Sequence, residues 1–423
     1  MWQKPFGFAE CTIIGVGIVA TGVLLQITIG AIDWNLMAFP ANVILLCLFM
    51  AALVAMHLTR RRVYMFRCLS EARMAVVALS FVATLTFIMG MIRQDGASMG
   101  MAPHFTLGFK DMLHAWWMVL PYVWLAVCLG LTAMRRTFPF HLRDVPFMLN
   151  HWGLFIVLVC ATLGSADIQK YNMQAYPHKP EWRAVDDEGM MHELPLAIEL
   201  QQFSMEEYPA RMMVIDNNSG KAQPENKPQT MTTDEKTGRM LDWQIKIDKY
   251  QEYSAPVETA STSSPSPSQP RPGQTPSVRY VGRGSSGATE SALVTAVNSR
   301  THQRRQGWIS CGSYLFPFHV LALDKYTSLV MAEREPKKFS SAVKVYTKEG
   351  DVYVDSIMVN KPLNVMGWKI YQLDYDKEKG RWSELSVFQL VRDPWLPAVY
   401  VGLFMMLAGA VFMFGTSPDH QRS

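Results

Sequence analysis

Two rhythms of apolar residues alternate along this chain. A helix needs about 20 mainly apolar residues to cross a bilayer, and six runs reach that length. They are Thr12 to Ile32, roughly Met37 to Met56, Met74 to Ile92, Ala115 to Met134, a stretch that begins between Val145 and Trp152 and ends near Ala166, and Trp395 to Phe414. Between the fifth and sixth runs the period shortens to two. WQIKIDKY (Trp243 to Tyr250), AVKVYTKEGDVYVDSIMV (Ala342 to Val359, with a Glu349-Gly350 turn), GWKIYQLDY (Gly367 to Tyr375) and ELSVFQLV (Glu384 to Val391) alternate or are rich in β-branched and aromatic residues, as strands are. The pattern predicts a polytopic α-helical membrane protein with six transmembrane helices and a large external β-rich domain between the fifth and sixth. Residues 1–72 hold two helices, 73–167 three more, 168–394 the external domain, and 395–423 the last helix and a short tail. Residues 254–277 are dominated by Ser, Pro and Thr; they cannot bury enough apolar surface to offset their ordering and are expected to form a disordered insertion in that domain.

Charge adds an orientation. Lys and Arg accumulate in cytoplasmic loops, and here they cluster on the side of the N-terminus: Lys4, then Arg60, Arg61, Arg62, Arg67 and Arg73, then Arg135, Arg136 and Arg143, and finally Arg422. The opposite short loops carry only Arg93 and Lys110. Both termini are therefore expected in the cytoplasm and the large domain outside, with Trp34, Trp116, Trp117 and Trp395 at the outer edges, where amphipathic rings are best accommodated. The first run exceeds the apolar core of a signal peptide and is read as a retained span. The external region, Ile168 to Asp393, carries 28 basic and 28 acidic residues, so the net charge of +4 lies in the membrane half. Nothing in that balance suits a nucleic-acid partner. Of six cysteines only Cys311 lies outside, so no intrachain disulfide holds the external domain, and the chain has no CxxC.

Ionisable groups inside a membrane span are costly and mark candidate function. His151 is the conspicuous one. Asp144-Val145-Pro146 reads as an N-cap with proline in the first turn, which places His151 roughly 10 Å along the fifth helix, among Trp152, Leu154 and Phe155. A neutral imidazole there suits haem iron; it equally suits a hydrogen bond to a neighbouring helix. His114, beside Trp116 and Trp117 at the outer end of the fourth span, is a weaker candidate, since polar and aromatic residues belong at an interface anyway. Pro121 is expected to kink the fourth helix. His57 is given no role, and His104, His178, His192, His302 and His319 show no metal-ligand spacing. P-loop, HExxH and GxSxG motifs are absent, and no residue is singled out as catalytic.

Several blocks, in order, resemble the ResB/CcsB family of cytochrome c biogenesis proteins. GFKDMLHAWWMVLPYVWLAVCLGLTAMRR (Gly108 to Arg136) is similar to the family's second core span, and LNHWGLFIVLVCATLGSAD (Leu149 to Asp167) to its third, with a glycine two residues after the histidine. GWKIYQLDYD through LVRDPWLPAVYVGLFMMLAGAVFMF (Gly367 to Phe414) is similar to the closing strand and last span. PEWRAVDDEG and LPLAIELQQFSMEEYPARM resemble the bacteroidete-type branch. Residues 1–72 have no counterpart in the four-span core, Asp393-Pro394-Trp395 stands where many relatives have Asp-Pro-Gly, and the WWD signature of the partner CcsA is missing.

The resemblance implies a component of a system II cytochrome c synthase in the bacterial inner membrane, with its large domain periplasmic. It implies that His151 is an axial ligand to haem b held transiently and shared with a CcsA-type WWD-domain partner. Apocytochrome c with CxxCH and thiol-reducing proteins would be further partners, and the chain itself would be a non-catalytic or auxiliary subunit. Two other readings stay open: a haem b membrane subunit of a quinol-linked electron-transfer complex, which needs two axial histidines in this chain, and a membrane-anchored external binding module without cofactor.

Overall fold

All six apolar runs fold as helices in the computed structural model of the chain, which describes residues 5–94, 107–258 and 278–415. Two compact units result: residues 1–169 with 392–423, and residues 170–391. The first is helical: α1 (Phe8–Thr28), α2 (Ala41–Thr59), the short α3 (Tyr64–Leu69), α4 (Ala72–Met91), α5 (Trp116–Thr137), α6 (Val145–Gly164) and α7 (Leu396–Gly415). All but α3 are long and apolar enough to cross a membrane. α1 starts four residues before the apolar run, because Glu10 accepts a hydrogen bond from the Gly7 N–H (2.9 Å) and so belongs to the helix's first turn.

α5 is the hub. Of its most apolar stretch 61% is buried inside the bundle, against 28% or less for the other spans, and α1, α2, α4 and α6 all pack on it. Small residues set the closest approaches, as expected where dispersion rather than hydrophobic exclusion joins helices. A Cβ on Gly22 of α1 would lie 2.4 Å from Trp117 Cα, and one on Gly153 of α6 would lie 2.6 Å from the Gly402 carbonyl oxygen of α7. Pro121 is buried within an uninterrupted α5. At one end of the bundle every one of four indoles finds an acceptor: Trp34 on Leu113 O, Trp116 on Gly30 O, Trp117 on Leu107 O and Trp395 on Asp167 Oδ2. Asp167 also accepts from the Phe39 N–H (2.7 Å) and from Asn42 Nδ2 (2.7 Å), which joins the start of α2 to the ends of α6 and α7. The other end carries the arginine cluster from Arg60 to Arg73 together with Arg135, Arg136 and Arg143.

α6 does begin at Val145, but the Asp144 side chain makes no cap hydrogen bond; its carboxylate is taken by Arg136 at 2.9 Å.

The second unit is built of strands. In chain order they are β1 (Gln169–Ala175), β2 (Glu181–Val185), β3 (Met191–Glu207), β4 (Arg211–Asp216), β5 (Thr230–Thr232), β6 (Thr237–Met240), β7 (Trp243–Glu258), β8 (Val278–Gly282), β9 (Thr289–Asn298), β10 (Arg304–Ser310), β11 (Leu321–Ala322), β12 (Thr327–Met331), β13 (Pro336–Thr347), β14 (Val352–Met358), β15 (Leu363–Val365), β16 (Trp368–Tyr375) and β17 (Ser386–Arg392). An eight-stranded sheet runs β14-β13-β3-β2-β1-β17-β16-β15; a second joins β10-β9-β7-β6 with β8 on β7; a third runs β11-β12-β4-β5. Alternation fills two cores. Leu194, Leu196, Ile198 and Leu200 of β3 point into the first with Val343, Val345, Trp368, Ile370, Phe388 and Leu390. The second gathers Met212, Val214, Trp243, Ile245, Val294 and Leu329.

The expected insertion is shorter than 254–277. Ser254 to Val257 are the end of β7, paired with β8 from Gly282 to Arg279, and Ser254 is fully buried with its hydroxyl on Thr289 O. Residues 259–277 lie outside the described residues, as does His104.

Candidate functional site

His151 sits on the second turn of α6, and two contacts fix its ring. Its Nδ1 donates to the Phe147 carbonyl oxygen one turn back (2.9 Å), and the ring stacks on Phe147 with centroids 3.6 Å apart. A histidine whose Nδ1 is held this way presents Nε2 as the free lone pair, the arrangement that orients metal-ligating imidazoles. Gly153, two residues on, lets α7 close against the adjoining face of α6, and Asn150 donates to Pro146 O and Met413 Sδ.

His151 lines a groove of about 760 Å³, within the range of small-molecule sites. α5 forms its floor through Leu125, Leu129 and Thr132; α4 gives one wall through Ala75, Val76 and Leu79; α6 gives the other through Phe147, His151 and Leu154, with Met406 of α7 behind. Among the described residues α4 and α6 flank α5 without packing closely on each other, so the groove is a gap between them. Its mouth holds Arg135 and Arg136 together with Glu71. Arg136 is paired with Asp144 and lies over the Phe147 ring at 5.1 Å, while Arg135 donates to the Ser70 carbonyl oxygen at 3.4 Å. The buried hydroxyl of Thr132 has no hydrogen-bond partner among the described residues. The groove thus offers apolar walls, one free imidazole nitrogen, one unsatisfied hydroxyl and cationic side chains at its mouth. That donor set fits a flat apolar ligand with a metal at its centre and carboxylates at one edge.

The other histidines lie elsewhere. His114 is at the opposite end of α5, its Nδ1 2.6 Å from Asp111 Oδ1, so the structure does not bring it together with His151. His57 is engaged by Arg60 at 2.9 Å. In the second unit His192 faces Asp186 (2.7 Å) and His319 faces the Tyr280 hydroxyl (2.6 Å). No group of three or more His, Cys, Asp or Glu side chains among the described residues is placed to hold a metal ion. Cys311 is half-buried against Thr289 and the Glu290 carbonyl oxygen, and burial pushes its thiol above the ordinary value, which leaves it protonated and a poor nucleophile.

Sequence reasoning did not find Thr132 or Met406, and it took Arg135 and Arg136 only as a topology signal. Two arginines closing a span that faces a histidine-bearing helix could have raised the question of an anionic ligand.

Residues 289–385, from the start of β9 to the approach to β17, match the model of the ResB-like family. No curated protein matches the chain.

Proposed function

We propose that this chain, whose residues 289–385 match the ResB-like family, is a component of cytochrome c biogenesis that carries haem through the membrane as cargo and hands it on with a CcsA-type WWD-domain partner for attachment to apocytochrome c. The observation that carries this is His151, with Nδ1 occupied and Nε2 free, on the wall of an apolar groove. Haem keeps its porphyrin in an apolar medium and takes an axial imidazole. Val76, Leu79, Leu125, Leu129 and Leu154 supply the apolar contact, Phe147 holds the imidazole in plane, and Arg135 and Arg136 meet the propionate carboxylates at the mouth.

Among the described residues the groove contains one histidine, so the second axial ligand comes from the partner. A quinol-linked haem b subunit, which needs two histidines within this chain, is not favoured by that geometry. The arginine-rich end of the bundle faces the cytoplasm by the excess of Lys and Arg, which puts the β-rich unit in the periplasm and makes haem enter from the cytoplasmic end. Thiols of the CxxCH segment add to the haem vinyl groups on the partner's side, and thiol-reducing proteins keep them reduced; neither step uses a side chain of this chain.

The test is the full chain purified with its CcsA-type partner. His151→Gly is expected to lose most of the bound haem while inserting normally, and added imidazole is expected to restore part of it by filling the vacated ligand position. Haem content and cytochrome c assembly that stay at wild-type level in the glycine variant would refute the role.

A further inference from the structure

β3 leaves one edge unpaired inside a groove of the second unit. Up to Leu200 it has neighbours on both sides: β13 on one, and on the other β2 as far as Ile198, then Pro177 bridging to Leu200. From Gln202 to Glu207 only β13 pairs with it, and nothing among the described residues takes the second edge of residues 201–207. Alternate residues of a strand turn both N–H and C=O to the same edge, so about three residues there offer an unfilled hydrogen-bonding ladder.

All seven residues from Gln201 to Glu207 line a cavity of about 710 Å³. A cavity on a sheet face would be lined by alternate residues, because side chains alternate between faces. Seven in succession mean that it runs along the edge, over about 23 Å of strand. The opposite wall is made by Glu252 and Tyr253 of β7, Arg334, and the turn from Arg381 to Glu384. Natural sheets blunt such edges with charge, bulges or covering loops; this one is recessed, with the turn Gly380–Trp382 packed against part of β3 and the cavity beside the remainder.

Charge narrows the occupant. Arg334 and Arg381 are only 15% and 17% exposed and are already engaged with Glu207 and Glu252. The groove is lined by Glu206, Glu207, Glu252 and Glu384 against Arg334, Lys337 and Arg381, one more acid than base; Glu206 is exposed, and Glu252 (47% exposed) and Glu384 (68% exposed), though paired with the two arginines and with Lys379, keep carboxylate surface open to the groove. We infer that this groove docks an extended, basic polypeptide segment, which adds to β3 as an extra strand: the backbone supplies the ladder and Lys or Arg side chains meet Glu206, Glu252 and Glu384. An unfolded protein substrate, of the kind the proposed function requires, provides such segments. The site lies in the β-rich unit and does not depend on His151 or on haem.

The experiment uses full-length protein in detergent and a fluorescein-labelled ten-residue peptide alternating Lys with Thr, read by fluorescence anisotropy. Two twins carry N-methyl groups on alternate backbone nitrogens, one in each register, and a third has Glu for Lys. The parent is expected to bind, one N-methylated twin to bind about tenfold more weakly and the other like the parent, since only one register faces the edge. The Glu twin is expected to lose at least about tenfold, and Glu206→Lys to weaken the parent several-fold. A photo-reactive benzoylphenylalanine at Ser204 is expected to capture the peptide, whereas the same group at Tyr353, on the exposed edge strand β14, does not. No binding, equal binding of both N-methylated twins, or capture favouring Tyr353 would overturn the assignment; none of these would alter the haem content that tests His151.

Discussion

Arg334→Met is the change whose cost can be worked most directly from the geometry. The guanidinium Nε is 3.3 Å from Glu290 Oε2 and donates to Tyr208 O at 3.0 Å; Nη1 is 3.3 Å from Glu252 Oε1 and 3.6 Å from Glu207 Oε2. Glu290 is 1% exposed, and its other oxygen accepts from the Tyr250 hydroxyl. Burial pushes the Glu290 carboxyl above its ordinary range in spite of Tyr250, Arg334 and Arg381. Burial also opposes the charge on Arg334, but Glu290, Tyr250 and Glu207 outweigh it and raise that group. The pair is thus favourable for the arginine and unfavourable for the carboxylate, because the glutamate is the more deeply buried partner. At 3.3 Å and an effective dielectric of about 20 the attraction is about 5 kcal/mol. Removing the arginine strands a buried charge and is expected to cost about 3–5 kcal/mol. Glu290→Gln keeps an acceptor for Tyr250, leaves Arg334 two other carboxylates and is expected to cost no more than about 1 kcal/mol. The double variant is expected to recover most of the loss. The assay is pulsed alkylation of Cys311 across a urea series on the solubilised full chain, read by mass spectrometry; its Sγ is 3.9 Å from the Glu290 carbonyl oxygen, and it is the second unit's one cysteine. The pH dependence has a fixed sign. A carboxylate whose folded pKa is raised destabilises the fold fully above that pKa, and the penalty is lost as pH falls toward the unfolded value, so the Arg334→Met deficit should shrink as pH is lowered and should show no such slope with Gln at 290. A double variant as unstable as Arg334→Met, or a pH-independent deficit, would refute the reasoning.

Two further substitutions probe the helical unit. Asp167→Ala removes the acceptor of three hydrogen bonds, from Phe39, Asn42 and Trp395, and is expected to cost about 3 kcal/mol, with Asp167→Asn recovering about half; unfolding in mixed micelles followed by tryptophan fluorescence reads both. Gly153→Leu drives a side chain into Gly402 and Met406 and is expected to dislodge α7 from α6 and expose both to protease, whereas Gly17→Ala, with nothing within 4 Å of its Cβ, is expected to be silent.

Much of this architecture was legible in the residues. Each apolar run became a helix, displaced by at most a few residues, because composition alone decides what can sit in a bilayer. The hairpin around Glu349-Gly350 formed as β13 and β14, with Gly350 at φ 93° in a conformation that favours glycine. Long-range partners were less visible. Ser254 looked like part of a polar tract, yet the strand register seats it between Thr289 and Ser291. Glu207, Glu252, Glu290, Arg334 and Arg381 are scattered along the chain and meet only because two sheets bring β3, β7, β9 and the segments after β12 and β16 to one place. His151 was visible as a lone ionisable residue in a span; the gap beside it was not, since a gap depends on which helices fail to touch.

The N-terminal helices that the resemblance left without a counterpart gain a meaning from the hub they cover. With α1 and α2 applied to α5, and α2 tethered through Asn42 to Asp167, the sides of the hub away from His151 are already occupied. What remains accessible is the flank between α4 and α6. Any companion subunit that reaches the imidazole must come from that flank, so the two N-terminal helices set the direction of approach.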